Sequence, residues 1–418
     1  MKNILIISEL EDFLNTKHTH YSFNKGFEFA KGLVNIDNLK IYYLTTGNSQ
    51  LFEKINLINI LEINDDFINN LNYLILVRET NLLEILNIES LGKIIKNSPH
   101  IYKIIKSDSI VWLNNKVYTK HFIRRHTFLE FINNNFNKIG CQTEIIKKNN
   151  MNYLSTIYGK SIKKIKDKIF ISKMGIPNKY PVISNLDNPY DINHSYCVKD
   201  QMLLIQNKAL LPIIINENFN KKKIILVYMG RIKTDQGKIL YLMRDIMKEL
   251  GDDYELHIFP GKFVIPDTDL IEKSPKDRNN LKELQEKIFS ESSNVIIHFP
   301  FFDNISKSAY LQNADIGIDF SPSRPNDLKH NVGNAKLLEF CYYGLKVVCE
   351  KNIGNSELVE IGKNGILLDG IATCKDYVNA IINIKETQIN KDFTINQTIN
   401  YNNWDIIAKD FYENNMCI

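Results

Sequence analysis

Long apolar runs and paired cysteines are both missing from this sequence of 418 residues. No apolar run approaches the roughly 20 residues that a membrane-spanning helix needs. Residues 4–7, which acidic residues follow, are too short for the core of a signal peptide. The six cysteines are scattered, without the paired spacing of a zinc site or a disulfide framework. We therefore expect a cytoplasmic protein without a bound metal.

Motifs for nucleic acid recognition are also missing, although part of the chain is strongly basic. The net charge is +4, but residues 101–200 hold 17 Lys or Arg against 7 Asp or Glu, an excess of ten positive charges. No stacking aromatics are interleaved with these charges, so no nucleic acid partner is predicted. Two interpretations remain open: the region 101–180 contacts anionic lipid or a phosphate-bearing acceptor at the inner face of a membrane, or it is a solvated helix face.

The length exceeds that of a single usual core, so two domains are the default expectation. Apolar residues make up 44% and charged residues 24% of the chain, as in ordinary globular proteins. In the first half, apolar periodicity predicts alternating strands and helices, which is typical of a parallel, doubly wound sheet. The strands are predicted at 2–8, 39–44, 73–77, 101–105 and 139–143, and the helices at 22–33 and 82–95.

A segment rich in Pro, Gly and Asn, residues 174–189, predicts an exposed linker. We therefore divide the chain into domains of residues 1–200 and 201–401. The second half alternates again, with a polar surface excursion expected at 263–280. Its strands are predicted at 223–230, 254–259, 295–299, 316–320 and 345–349, and its helices at 239–250, 281–289, 306–312 and 335–343.

One stretch of the second half, residues 313–370, has the pattern of an anion-binding turn. A buried strand (316–320) is followed by a polar loop (321–333) and then by a helix, which Gly344 is expected to end. Such a turn directs unpaired backbone N–H groups and the positive end of a helix dipole at one point, where a diphosphate can bind. Glu339, one turn into the helix, is then placed to bind hydroxyls beyond the phosphates.

The same stretch resembles the donor-site signature of GT-B glycosyltransferases and is most similar to that of glycosyltransferase family 4. The resemblance rests on NAKLLEFCYYGLKVV at residues 334–348 and GNSELVEIGKNGILLD at residues 354–369. It implies an α/β GT-B fold, with two Rossmann-like, doubly wound domains that face each other across a cleft. A helix near the C-terminus, about residues 402–418, resembles the final helix that packs back on the N-terminal domain in this fold.

The resemblance also implies a hexosyltransferase of glycan biosynthesis, which moves a sugar from a UDP- or GDP-linked donor to an acceptor hydroxyl. The acceptor would be a glycan, a lipid-linked molecule or another glycoconjugate, and the reaction would be retaining, with neither metal nor other cofactor. Asp267 and Asp269 match the Asp-x-Asp of metal-dependent transferases, but they fall in the polar excursion, which favours the metal-independent reaction. Two alternatives stay open: a GT-B-type nucleotide-sugar 2-epimerase and a non-catalytic nucleotide-sugar-binding protein.

The donor-site residues follow from the resemblance position by position. Glu339 matches the glutamate that binds the ribose. Gly230 and Arg231 match the Gly-Arg pair after the first strand of the second domain, and Gln236 stands where a lysine is expected. Arg231 is therefore assigned to stabilise the leaving diphosphate, together with Lys238 or Lys233, either of which supplies the lysine by a shift of register.

The start of the predicted helix supplies further donor contacts. Asn331 occupies the position where many family members have a second glutamate that contacts the donor sugar, and an amide can also hydrogen-bond hydroxyls. Gly333 and Asn334 offer backbone N–H groups to the phosphates or the sugar. Lys336 is a further source of positive charge, and Leu337 belongs to the same donor-binding turn.

Contacts to the base and the acceptor are assigned to strand ends and loops. The main chain near His298 and Phe299, at the end of a predicted strand, is expected to recognise the nucleobase. In the N-terminal domain the histidine that the family usually has is not at its expected place. Asp108 or His121 is predicted to orient the reacting acceptor hydroxyl instead.

Overall fold

The structure is a computed structural model that describes most of the chain. The described residues are 1–8, 10, 21–77, 82–106, 131–158, 167–176, 196–197, 203–204, 223–232, 238–266, 271–275, 277–298, 310–320, 334–369 and 372–416. They form two compact units. The first contains the described residues of Met1–Asn178 and Asn400–Ile418, and the second those of Lys179–Arg324 and Asn334–Ile399.

An eight-stranded sheet forms the centre of the first unit. Its strands are β1 (Lys2–Ile7), β2 (Leu39–Thr45), β3 (Gln50–Phe52), β4 (Ile55–Asn59), β5 (Tyr73–Leu76), β6 (Tyr102–Lys106), β7 (Lys138–Cys141) and β8 (Ile169–Ile171). The order is β3-β4-β2-β1-β5-β6-β7-β8, and all neighbours are parallel except β3 and β4. The central strand β1 is apolar on both faces because helices cover both, as the sequence pattern predicts.

Helices lie on both faces of this sheet. They are α1 (Tyr21–Val34), α2 (Asp65–Asn69), α3 (Leu82–Leu86), α4 (Glu89–Asn97) and α5 (Glu144–Tyr158), with a 3-10 helix at Ile60–Glu62. Ile4 and Ile6 of β1 pack with α1, whereas Leu5 and Ile7 share a cluster with α2 to α5. The single helix predicted over residues 82–95 is wrong, because Ile88 has an extended backbone (φ −91°, ψ 117°) that separates α3 from α4.

The second unit contains a six-stranded parallel sheet and a separate two-stranded antiparallel pair. The pair is β9 (Tyr196–Cys197) and β10 (Leu203–Leu204), and the sheet contains β11 (Ile224–Ile232), β12 (Tyr254–Phe263), β13 (Val295–Ile297), β14 (Ile316–Asp319), β15 (Lys346–Glu350) and β16 (Gly365–Leu368). The order is β13-β12-β11-β14-β15-β16. This is the strand order of a dinucleotide-binding Rossmann sheet, in which the winding reverses between the first and the fourth strand.

Helices cover both faces of the sheet in the second unit. They are α6 (Lys238–Leu250), α7 (Arg278–Ile288), α8 (Ala335–Tyr342), α9 (Ile353–Gly362) and α10 (Cys374–Glu386). α6, α7 and α10 share one apolar cluster with the strands. α8 packs on the opposite face so closely that a Cβ on Gly317 would lie 2.3 Å from the Phe340 ring. The predicted helix 335–343 is confirmed, and Gly344, with φ +67°, follows its end.

Two helices, α11 (Lys391–Asn402) and α12 (Trp404–Asn415), complete the described chain. Within the first unit α12 packs on α1, with the Phe29 ring 6.0 Å from Trp404 and 5.0 Å from Phe411, centre to centre. The Ile176 N–H donates to the Asn402 carbonyl at 2.7 Å. The domain boundary between residues 200 and 201 falls where only β9 and β10 are described, so it stays a prediction.

Two other predictions meet the structure only in part. The polar excursion at 263–280 is wrong at its start, because β12 continues to Phe263, which pairs with Lys273, and Phe263 and Ile265 are buried. Within the described ranges no helix is both long enough and apolar enough to cross a bilayer. Much of the basic region 101–180 lies outside those ranges, so its membrane contact stays a prediction.

Candidate functional site

The carboxyl ends of β11 and β14 mark the point where the strand order of the second sheet reverses. In open parallel sheets, ligands bind outside the carboxyl ends of the strands at such a point. Gly230, with φ +125°, lies near the end of β11, and Asp319 ends β14. The chain next enters the described structure at Asn334, and the first turn of α8 is partly exposed. We therefore take this edge of the sheet as the candidate site.

A buried ion pair occupies this edge. Lys336 Nζ lies 2.5 Å from Oδ1 of the fully buried Asp319 and 4.8 Å from the centre of the Tyr228 ring. A Cβ on Gly230 would lie 3.8 Å from Lys336 Nζ, which places the ammonium beside the end of β11. Burial favours the neutral amine, but the Asp319 carboxylate and the Tyr228 hydroxyl outweigh it and raise the pKa of Lys336. Asp319 therefore neutralises the positive charge of Lys336, which was predicted to act on the donor.

Asn334 fixes the start of α8 through its side chain. Its Oδ1 accepts the Leu337 N–H at 3.5 Å, while its Nδ2 donates to Asp319 Oδ2 and, at 3.2 Å, to Asn355 Oδ1. Asn355 is fully buried and donates to the Glu350 carbonyl at 2.8 Å. Because the Asn334 side chain is already hydrogen-bonded to other residues of the protein, the predicted ligand contact of Asn334 can be made only by its main chain. Leu337 is fully buried and its main-chain N–H is already bonded to Asn334, so neither its side chain nor this N–H is available for the predicted donor contact.

Glu339 lies one turn inside α8 and is only 4% exposed. The residues around it, Leu337 to Tyr342, are all buried. A carboxylate on a solvated helix face would be mostly exposed, so that interpretation of Glu339 is excluded. The structure places a buried acid behind the first turn of a helix, where the sequence predicts a group that binds ribose hydroxyls.

The two cations predicted to stabilise the diphosphate, Arg231 and Lys238, are both exposed. Arg231 follows Gly230 in β11. Its carbonyl accepts the Tyr228 hydroxyl at 3.1 Å, and its Cγ lies 3.0 Å from a Cβ built on Gly261. Lys238 is the first residue of α6. These two cations are therefore exposed, whereas Lys336 is paired with Asp319. Lys233 lies outside the described residues.

His298 follows the last residue of β13 and ends a hydrogen-bonded chain that the sequence analysis missed. Its main-chain N–H donates to the Ile258 carbonyl at 2.9 Å. Its Nε2 lies 2.9 Å from His257 Nδ1, and His257 Nε2 lies 3.1 Å from Glu255 Oε1. Burial, together with His257, holds the pKa of His298 well below its usual value. The sequence signal for this hydrogen-bonded chain was the alternation of Glu255, His257 and Phe259 along one predicted strand, which places these three side chains on the same face of the sheet.

The remaining predicted site residues lie outside the described part of the chain. They are Asp108, His121, Gln236, Phe299, Asn331 and Gly333, together with the Asp-x-Asp residues Asp267 and Asp269. Within the described ranges, no group of three or more His, Cys, Asp or Glu residues is arranged to hold a metal ion. Cys341 is a free, buried cysteine, and burial raises the pKa of its thiol to about 12.

Solved structures of GT-B glycosyltransferases are similar to this chain over its whole length. Sucrose-phosphate synthase from Thermosynechococcus elongatus is 12% identical, with a TM-score of 0.63, and the match covers 99% of this chain and 98% of that chain. HepE from Anabaena, in complex with UDP, is 11% identical, with a TM-score of 0.58, and the match covers 99% of each chain. At these identities the likeness shows the fold: the chain has the GT-B fold, with two Rossmann-like units.

An epimerase has a similar structure as well. A putative UDP-N-acetylglucosamine 2-epimerase from Listeria monocytogenes is 12% identical, with a TM-score of 0.53, over 98% of this chain and 94% of that chain. No family model and no curated protein matches the sequence. The fold class predicted from the sequence is confirmed, and the choice among the activities that this fold supports depends on the site itself.

Proposed function

We propose that this chain is a glycosyltransferase that moves a sugar from a UDP- or GDP-linked donor to a hydroxyl of a glycan, a lipid-linked acceptor or another glycoconjugate. The observation that carries the proposal is Glu339, a buried carboxylate one turn inside the helix that begins at the switch point of a Rossmann sheet. The likeness in fold to Anabaena HepE, solved with UDP and with UDP-glucose, supports a UDP-linked donor. The resemblance to family 4 supports a retaining, metal-independent hexosyltransferase without a cofactor.

Different groups act on the leaving diphosphate and on the ribose of the donor. Breaking the bond to the diphosphate builds negative charge on the leaving group, which cationic side chains and a helix N-terminus can stabilise. Because Asp319 neutralises Lys336, we assign this role to Arg231, Lys238 and the backbone N–H groups at the start of α8. Glu339 binds the ribose. In a retaining front-face reaction the departing phosphate takes the acceptor proton, so the proposal needs no protein base.

A turnover assay on a panel of UDP- and GDP-sugars, with a chelator present and the full chain as enzyme, tests the proposal. Glu339→Ala should lower the rate of sugar release about 10- to 100-fold, because the ribose loses hydrogen bonds to a charged group. Glu339→Gln keeps the shape and should be affected less. Glu386→Ala, which removes an exposed carboxylate from the end of α10, is the matched control and should keep full activity. Equal rates for Glu339→Ala and Glu386→Ala would refute the assignment.

A second candidate function is a nucleotide-sugar 2-epimerase, which the similar structure of the Listeria monocytogenes protein favours. An epimerase converts the donor without an acceptor, whereas a transferase needs one. The same panel, followed by NMR of the donor sugar without any acceptor, separates the two: a changed configuration at C2 with no free nucleotide would support the epimerase. Tight nucleotide binding without any conversion would support the non-catalytic alternative.

A further inference from the structure

Three buried polar side chains form a straight hydrogen-bonded chain on one face of the second sheet. Glu255, His257 and His298 are 2%, 0% and 1% exposed, and the two imidazole planes differ by only 15°. Val227 pairs with both His257 and Gly317, so this chain lies on the face that α8 covers. A face otherwise suited to apolar packing therefore holds a carboxylate and two imidazoles, which needs a reason beyond stability.

The carboxylate at one end determines where each proton lies. An ionised Glu255 only accepts hydrogen bonds; Lys223 Nζ, 3.8 Å from Oε2, favours this form, whereas the burial of Glu255 opposes it. His257 Nε2 then carries the hydrogen that it donates to Glu255, and Nδ1 of the neutral ring is an acceptor. His298 Nε2 must donate to that acceptor. His298 is held neutral by burial, so its Nδ1 keeps a lone pair.

The lone pair of His298 Nδ1 is directed away from His257 and Glu255. Ile258 pairs with Ile297, so His298 lies opposite Phe259, two residues beyond His257. The bond from His298 Nε2 to His257 therefore runs toward the amino ends of the strands, and Nδ1 lies on the side of the carboxyl edge. Nδ1 is buried and has no hydrogen-bond partner among the described residues. Buried acceptors in native proteins are nearly always paired, so this atom calls for a donor.

We propose that the Glu255–His257–His298 chain holds His298 Nδ1 as a hydrogen-bond acceptor for the ring N–H of the donor's nucleobase. This inference rests on the proposed function, because it needs a nucleotide at the carboxyl edge of the sheet. Uracil and guanine carry a ring N–H that an acceptor can read. Glu255 and His257 are positioning residues, which act on the base only through the tautomer of His298.

Calorimetry and histidine NMR on the full chain test the proposal together. The ¹⁵N shifts of His298 should show hydrogen on Nε2 and none on Nδ1, whether or not a nucleotide is bound. UDP should bind at least about tenfold more tightly than 3-methyl-UDP, which lacks the ring N–H, or GDP more tightly than 1-methyl-GDP. Glu255→Gln replaces a group that only accepts with an amide that can also donate to His257, so hydrogen should appear on His298 Nδ1 in part of the molecules and the preference should shrink.

Two further variants separate the tautomer from simple packing. His298→Phe keeps a ring against Phe259, which is 4.5 Å away and nearly parallel, and should lose the preference for the unmethylated base. Glu283→Gln, on α7, is the matched control and should keep both affinity and preference. Equal affinity of the unaltered chain for UDP and 3-methyl-UDP and for GDP and 1-methyl-GDP, or hydrogen on His298 Nδ1, would overturn the base contact alone. Binding of no nucleotide at all would overturn the proposed function, and the base contact with it.

Discussion

A largely buried lysine lies at the carboxyl ends of the strands of each sheet: Lys106 is part of the first sheet, whereas Lys336 belongs to the first turn of α8 and reaches Asp319 at the end of β14. Lys106 ends β6, is 1% exposed and donates to the Lys173 carbonyl at 3.2 Å. Its ammonium lies 5.1 Å from the Trp404 ring and 5.6 Å from the Phe29 ring. These rings belong to α12 and α1, so Lys106 helps to hold the C-terminal helix on the first sheet.

Lys336 is held in a different way. Its ammonium contacts the Tyr228 ring, but its main partner is the Asp319 carboxylate at 2.5 Å. Asp319 also accepts from Asn334, the cap of α8, so the ion pair fixes the start of that helix. The two carboxyl edges therefore differ: aromatic rings pack around Lys106, whereas a polar network around Lys336 fixes the start of α8.

The largest expected effect comes from breaking the ion pair of the second sheet. Asp319→Asn keeps an acceptor for Asn334 but leaves the Lys336 ammonium without its carboxylate. Removing one partner of a buried pair costs about 3–5 kcal/mol, and since the Lys336 side chain is 18% exposed we expect about 3 kcal/mol, at the low end of that range. Hydrogen exchange of the β14 and β15 amides measures the loss within the second unit.

A double variant is the control for that prediction. Asp319→Asn with Lys336→Met removes both charges, and an apolar pair of similar volume often restores most of the stability. Protection of β14 and β15 should therefore recover in the double variant. If the double variant is as unstable as Asp319→Asn alone, the loss comes from the hydrogen-bond network around Asn334 and not from an unpaired charge.

A smaller effect is expected for the lysine of the first sheet. Lys106→Met keeps a flexible side chain of similar length between Phe29 and Trp404 but loses, among its contacts with described residues, a hydrogen bond and two cation–π contacts. We expect the first unit to lose about 1–2 kcal/mol, measured by hydrogen exchange of the β6 amides. UDP affinity should not change. A loss as large as that of Asp319→Asn would show that the two lysines are not held in such different ways.

Where apolar periodicity is strong, the sequence predicts five of the eight strands of the first sheet and five of the six strands of the second, and it predicts the start of α8 at Ala335. It does not predict β3, β4, β8 or β16, nor the helices α2, α5, α9, α10 and α11. It does not predict the ion pair. Asp319 ends a short apolar run, residues 316–320, which indicates a buried strand and gives its carboxylate no visible partner. Lys336 lies seventeen residues later, beyond a polar loop, and only the strand order brings the two together at one edge.

The same limit applies to the buried histidines. The sequence predicts His298 at a strand end, but its partners Glu255 and His257 come from the neighbouring strand, some forty residues earlier. Alternation places Glu255 and His257 on one face, yet it does not give the register between β12 and β13. The register, Ile258 with Ile297, is what brings His257 within hydrogen-bond distance of His298. Contacts that depend on strand register therefore could not be predicted from the sequence alone.

The smallest expected effect is a pH dependence of stability, which should be found for the second unit and should not depend on Lys106 of the first. The pKa of His298 is depressed in the folded chain, so below about pH 6.5 the unfolded chain binds a proton that the folded chain does not. Stability of the second unit should therefore fall by about 1 kcal/mol between about pH 7.5 and pH 6 from this residue. Hydrogen exchange of the β12 and β13 amides, corrected for intrinsic rates, measures it. His298→Phe should remove this part of the pH dependence, and Lys106→Met should leave it unchanged. An unaltered slope in His298→Phe would mean that His298 is not buried in its neutral form, which would also remove the basis for Nδ1 as an acceptor.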